Sequence, residues 1–315
     1  MIHAYSAEDG QLARVAADAL DTALWIDLYS PTPTQREAVN ALGLEVPEPD
    51  QMAEIQPSRR FRRGGNGVAI TVYLPGRDAD GTRTFGPVAF LIRDDRLITV
   101  HDHALEAFET VPDTTDDLTD ETATPGALMI QILEAITGRI ADRLEDAGAE
   151  FDLLADEVFA EQALSAVALK DNLQRSGQMG QRLSAMQHGL LTVERGLAFV
   201  QGDDGEHIDI PAGPLAALMR DVKALAFHCE YLSGRANALT DATLGLIDLA
   251  QNRSFSILSA VTALFVPPTF IASFYGMNFT DIPELHSREG LAVVLGLMAI
   301  SVIGAFLFLR WRRLL

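Results

Sequence analysis

Two uncharged apolar segments near the end of the chain restrict its possible folds more than any other feature. Residues 254–280 and 290–309 contain no Lys, Arg, Asp or Glu. Each supplies the roughly 20 helical residues needed to cross a hydrocarbon core about 30 Å thick. Two in tandem, joined by a short polar loop, argue against buried core helices and predict a pair of membrane spans. The rest of the chain has the opposite character. Net charge over 315 residues is −20, and the acids crowd positions 1–250. That segregation reconciles a positive mean hydropathy with so much negative charge.

Orientation follows from charge. The start, Met1-Ile2-His3-Ala4-Tyr5-Ser6, has neither a basic nor an apolar leader region, so no signal peptide is expected. Arg253 precedes the first span, and Arg310, Arg312 and Arg313 follow the second. The connecting loop carries Asp281, Glu284 and Glu289 against Arg288. The positive-inside rule then predicts a multi-pass membrane protein with both termini cytoplasmic and the loop outside. Cys229 is the one cysteine, which excludes an intrachain disulfide and suits a reducing compartment.

The first 124 residues have the mixed pattern of an α/β domain. Trp25-Ile26-Asp27-Leu28 predicts a strand, and residues 33–42 a short helix stopped at Gly43. Residues 67–74 alternate with period two and should end at Pro75-Gly76. Residues 88–92 and 97–100 flank Arg93-Asp94-Asp95-Arg96 as a hairpin. Residues 104–110 suit a helix and 112–124 a linker. Beyond it, 126–160 and 164–200 are expected to form long amphipathic helices, separated from the next by 202–211. From Leu215, residues Leu218, Val222, Leu225, Cys229, Leu232, Ala236, Leu239, Thr243, Leu246 and Ala250 step by three and four, the seam of sustained helix packing. No proline intervenes between Pro214 and Pro267, so one helix should run from the cytoplasm into the first span.

A second series on this helix steps by seven: Asp241, Asp248, Phe255, Thr262, Thr269, with Asn278 at its outer end. Leu258 and Val266 lie beside it. Several copies around an axis would turn this stripe into rings of acid, aromatic, hydroxyl and amide, the layout of a cation pore. The alternative is that Thr262 and Thr269 bond back to helix carbonyls and the acids form a solvated face.

The run Tyr275-Gly276-Met277-Asn278-Phe279, followed by Ile282-Pro283-Glu284-Leu285, resembles the CorA family of divalent-cation channels, which has a Gly-Met-Asn signature and a following Pro-Glu-Leu loop. Gln251-Asn252-Arg253, Val266-Pro267-Pro268-Thr269, Trp25-Ile26-Asp27-Leu28 and the stretch from Val88 to Thr99 are also similar to its bacterial branch. The resemblance implies a funnel-shaped homopentameric channel in the lipid bilayer. An α/β domain and long helices would sense intracellular Mg²⁺, with the first span lining the pore and the second surrounding it. It implies a pore lined by Asp241, Asn252, Phe255, Leu258, Thr269 and Asn278. Gly276, Met277 and Asn278 would form the ion entry, with Asp281 and Glu284 concentrating cations there. Phe255 and Leu258 would be the hydrophobic gate. Asp221 is the candidate regulatory metal ligand on the stalk, with Asp78, Asp80 and Asp94 as possible partners. Mg²⁺, and also Co²⁺ and Ni²⁺, are the expected cargo; a proton-coupled Zn²⁺ carrier like the ZntB branch and a non-conducting membrane-anchored sensor are the alternatives. Thr280-Asp281 and the polar His286-Ser287-Arg288-Glu289 depart from the family pattern and leave ion preference open.

The expected division is a cytoplasmic α/β domain over 1–124, a long-helix stalk over 125–252, and a first span over 253–275. An external loop over 276–290, a second span over 291–309 and a basic tail over 310–315 complete it. His101-Asp102-His103 could bind a transition metal but fits a surface strand end better. The cluster Arg59, Arg60, Arg62 and Arg63 could meet acidic helices or lipid headgroups, and so acidic a chain is not expected to bind nucleic acid. Neither a nucleophile–base pair nor an organic cofactor motif is present, so an enzyme is not expected.

Overall fold

The alternating residues Val68, Ile70, Val72 and Leu74 point to one buried face of strand β5 (Gly67–Arg77). This strand does not stop at Pro75-Gly76. It pairs in register with β6 (Arg83–Arg93) from Gly67↔Arg93 to Arg77↔Arg83. The reversal comes instead at Asp78–Thr82, where the Asp78 carboxylate accepts from the backbone N–H groups of Asp80 and Thr82 and Gly81 takes φ +77°. The computed structural model describes the chain except residues 9, 17–18, 44, 55–59, 65–66, 94, 115–122, 161–164, 203–207, 278–289 and 313–315.

Five more strands complete a sheet: β1 (Ile2–Glu8), β2 (Gln11–Val15), β3 (Trp25–Tyr29), β4 (Phe61–Gly64) and β7 (Arg96–His101). Their order is β2-β1-β3-β7-β6-β5-β4. Only the β3–β7 pair is parallel. The hairpin between β6 and β7 forms where expected, with Arg93 opposite Arg96. Helix α1 (Pro33–Asn40) begins at a capping box in which Thr32 and Gln35 serve each other's backbone N–H, and the chain turns at Gly43 with φ +84°. With α2 (Pro49–Ala53) it covers one sheet face, where Val39 and Met52 bury Ile26, Leu28, Leu91, Ile98 and Val100.

Helix α3 (Glu106–Thr114) extends through Pro112, into what the sequence suggests is linker. Three long helices follow: α4 (Pro125–Phe159), α5 (Ala166–Gln201) and α6 (Ala212–Tyr275). Thr124 caps α4 by accepting from Ala127 N–H, with Pro125 in the first turn. Helix α5 approaches β5 closely enough that a Cβ at Gly189 would stand 2.9 Å from the Tyr73 carbonyl oxygen. The Thr192 hydroxyl there accepts from Tyr73 N–H at 2.9 Å. Helix α7 (Gly290–Trp311) is the last element.

The seam on α6 is buried at Leu215, Leu218, Val222, Cys229, Leu232, Ala236, Leu239 and Thr243. It is half-buried at Leu246 and exposed at Ala250. The chain forms two compact units, residues 1–160 with 174–239, and residues 161–173 with 240–315. Helix α6 is common to both, and its 64 residues span about 95 Å at 1.5 Å per residue.

Candidate functional site

Among the described residues, the stripe on the C-terminal half of α6 lacks cover. Asp241, Asp248, Asn252, Phe255, Leu258, Thr262, Val266 and Thr269 are all exposed, with Phe255 at 65% and Leu258 at 62%. Only 6% of the apolar window of α6, and none of that of α7, is buried within the chain. A soluble protein's core helix would be covered by its own fold. These faces need lipid or further protein.

The hydroxyls on the stripe bond back to the helix. Thr262 Oγ1 donates to the Leu258 carbonyl at 2.8 Å and Thr269 Oγ1 to that of Phe265 at 2.6 Å. Their protons are thereby committed, so each oxygen offers only lone pairs outward. That suits the hydrogens of a cation's hydration shell and does not suit an anion. Pro267 and Pro268, inside the helix, supply no N–H to the carbonyls of Ala263 and Leu264. Leu258, Thr262, Ala263, Val266 and Pro267 line a shallow open recess at the same level.

The helix closes at the signature run. Gly276 N–H donates to the Ala272 carbonyl at 2.9 Å, and Met277 N–H to that of Phe274 at 3.4 Å. Gly276 and Met277 are exposed. Asn278, Asp281 and Glu284 lie outside the described residues. The helix C-terminus at Tyr275 carries about half a negative charge, which favours a cation near Gly276.

Asp221 is exposed on α6, and its acidic neighbour is Glu134 of α4, a residue that the sequence pattern did not single out. Partial burial of Glu134, and then the charge of Asp221, push the Glu134 carboxyl above its ordinary range. Among the suggested partners, the Asp78 carboxylate is engaged in its own turn and Asp94 is outside the described residues. Among the described residues, no group of three His, Cys, Asp or Glu could hold a metal ion.

His101 ends β7 as expected and His103 follows it, but both are buried, at 3% and 5% exposure, rather than on the surface. His101 Nε2 stands 2.9 Å from Asp27 Oδ1, and its Nδ1 2.6 Å from the His103 carbonyl oxygen. Asp27 also accepts from Thr99 Oγ1 at 2.6 Å, whose oxygen accepts from Trp25 Nε1 at 3.0 Å. Burial lowers the His101 pKa, and the hydrogen bond and charge of Asp27 more than reverse it, leaving it raised. For His103 burial wins, helped by His101, and its pKa falls to about 4. With both ring nitrogens of His101 engaged in the core, this network is structural. In the basic cluster, Arg63 donates to the Phe199 carbonyl and lies 4.4 Å from that ring's centre, so it faces α5.

The family described as CorA-like Mg²⁺ transporter protein matches residues 21–313. Similar curated proteins include the magnesium transport protein CorA of Haemophilus influenzae and that of Pasteurella multocida. Each is 28% identical over 98% of this chain and 98% of its own. Among solved structures, the CorA magnesium transporter from Methanocaldococcus jannaschii superposes with a TM-score of 0.76 at 19% identity, over 98% of this chain and 97% of that one. The ZntB cytoplasmic domain from Vibrio parahaemolyticus gives 0.56 at 14% identity, over 78% of this chain and 97% of that domain. At those identities the structural likeness speaks for the fold. The family match spans the α/β sheet, the long helices and both apolar helices, and it accounts for an acidic chain that ends in two uncovered apolar helices around Gly-Met-Asn: this chain belongs to the CorA-like Mg²⁺ transporter family.

Proposed function

We propose that five copies of the chain form a channel that admits Mg²⁺ to the cell, with Co²⁺ and Ni²⁺ as further cargo, and that internal Mg²⁺ closes it. The observation that carries this reading is the uncovered stripe on α6, polar at both ends and apolar between. From Asp241 to Thr269 it covers about 40 Å of helix, enough for a pore and its inner exit. Both termini lie in the cytoplasm and the loop between the spans lies outside.

Mg²⁺ prefers oxygen ligands and gives up its water reluctantly. A ring of Asn278 carboxamides at the outer mouth would bind the hydrated ion through its shell without stripping it. Asp281 and Glu284, with five helix C-termini, would raise the cation concentration there. Thr269 and Thr262 offer acceptor oxygens along the path. Phe255 and Leu258 form the apolar constriction that dewets when closed. Asn252 follows, and Asp248 and Asp241 ring the inner exit. Asp221 and Glu134 repel each other, and a cation that relieves this repulsion would favour one arrangement of the stalk.

Flux through the purified protein in liposomes tests the reading. Mg²⁺ should enter without a proton gradient, millimolar Mg²⁺ on the cytoplasmic face should stop it, and Asn278→Ala should abolish it. Zn²⁺ uptake that needs a proton gradient, with none of Mg²⁺, would replace it with the zinc-carrier reading. No divalent flux at all would leave a membrane-anchored sensor. Unchanged inhibition by internal Mg²⁺ in Asp221→Ala would remove that residue from the regulatory site, and in Asp241→Ala would remove Asp241 from the ring at the inner exit.

A further inference from the structure

The β5–β6 hairpin and α4 crowd like charges in relations that repel. Arg77 and Arg83 are direct cross-strand partners, and Arg139 and Arg143 stand one turn apart on α4. This occurs in a chain with 24 Lys and Arg against 44 Asp and Glu, where carboxylates to neutralise them are abundant. Glu106 takes two of the four: its Oε1 accepts from Arg77 at 3.4 Å and its Oε2 from Arg139 at 2.8 Å. Among the described residues, Arg83 and Arg143 have no carboxylate ion-pair partner. Arg143 is half-buried; burial weakens its hold on its proton most, the charge of Glu106 opposes this in part, and the charges of Arg83, Arg77 and Arg139 add to the weakening.

These two arginines line one groove of about 680 Å³ between the start of β6, α4 and α5, within the size range of small-molecule sites. Phe85, Met179 and Met186 give the groove an apolar wall. Arg182 adds a third cation, held loosely by Glu150 at 3.9 Å. Guanidinium forks match phosphate oxygens, and desolvated ones bind them most strongly. Asp146 and Glu150 on the same walls disfavour a small bare anion. A longer ligand that pairs its charge with the arginines and lays an aromatic body on the apolar wall avoids that conflict.

We infer that this groove binds a nucleoside polyphosphate, with its phosphates on Arg83 and Arg143 and its base against Phe85, Met179 and Met186. The inference stands apart from the channel reading, because binding is measured on purified protein without flux.

Calorimetric titration of the full-length protein in detergent with ATP, adenosine and inorganic triphosphate tests it. ATP should saturate below millimolar concentration and bind more tightly than triphosphate or adenosine. Arg83→Ala and Arg143→Ala should each weaken ATP by about 10-fold or more, while Arg175→Ala, which breaks a pair with Glu157 outside the groove, should leave it unchanged. Phe85→Ala should weaken ATP and spare triphosphate. Because either arginine substitution relieves repulsion, both variants should melt no lower than wild type; Arg83 is exposed, so its variant retains the fold even if the other does not. No saturation at millimolar ATP, ATP affinity unchanged from wild type in both arginine variants, or triphosphate binding as tightly as ATP would each overturn the proposal. So would arginine variants that loosen the oligomer with ATP binding intact, which would make the groove a contact between subunits.

Discussion

At the scale of single residues, the buried network around Asp27 sets how the α/β sheet responds to pH. The His101 pKa is raised in the folded state by Asp27. Its contribution is therefore complete below the ordinary imidazole value of about 6.5 and is lost as pH rises through the folded value. His103 is displaced the other way, to about 4, so its contribution is complete above about 6.5 and is lost as pH falls toward 4. Melting temperature should fall on both sides. His103→Gln should flatten the acid limb, and His101→Gln the alkaline limb with a smaller easing of the acid limb, because the His101 charge helps lower the His103 pKa; limbs that keep their slopes in these variants would refute the assignment. Asp27→Ala strands the Thr99 and His101 donors in the core and should cost roughly 3 kcal/mol in chemical denaturation.

At the scale of elements, α6 has two halves with different demands on their side chains. In the N-terminal half the seam is buried, and Leu218→Ala should destabilise the unit of residues 1–160 and 174–239 by roughly 2–5 kcal/mol, read by denaturation. In the C-terminal half Leu258 touches little of its own chain. Leu258→Ser should thus leave the melting temperature nearly unchanged. It should instead raise Mg²⁺ flux at high internal Mg²⁺, because a hydroxyl ring wets where a leucine ring does not. Tight closure in that variant would remove Leu258 from the gate. The same division explains Thr262 and Thr269. Their back-bonding is compatible with a membrane helix and still leaves acceptor oxygens for a cation path.

At the scale of the whole molecule, the charge of −20 is a term that divalent cations can modulate. Exposed acids repel over a Debye length of about 8 Å at physiological salt, and they repel more when copies assemble. Millimolar MgCl₂ should raise the melting temperature of the protein more than NaCl of equal ionic strength. Equal effects would show screening alone and would argue against bound regulatory Mg²⁺.

Most of the architecture was legible along the chain because it rests on periodicity and charge exclusion, both local properties. The apolar segments, the heptad seam, the β6–β7 hairpin and the long helices are of this kind. The turn at Asp78–Thr82 was not legible, because pairing with β6 carries β5 past Pro75-Gly76. His101 and His103 have the appearance of an exposed strand end, yet the parallel neighbour β3 brings Asp27 against His101, and His103 Nε2 lies 3.1 Å from the Leu74 carbonyl oxygen. Glu134 near Asp221, and Arg83 near Arg143, are separated in the chain by 60 residues or more, and no spacing rule links them. The sequence by itself determined where this protein meets the membrane and which residues form the stripe on α6, since a helix converts spacing into a face. Only the tertiary structure decided which charges become neighbours, since that depends on how sheet and helices pack.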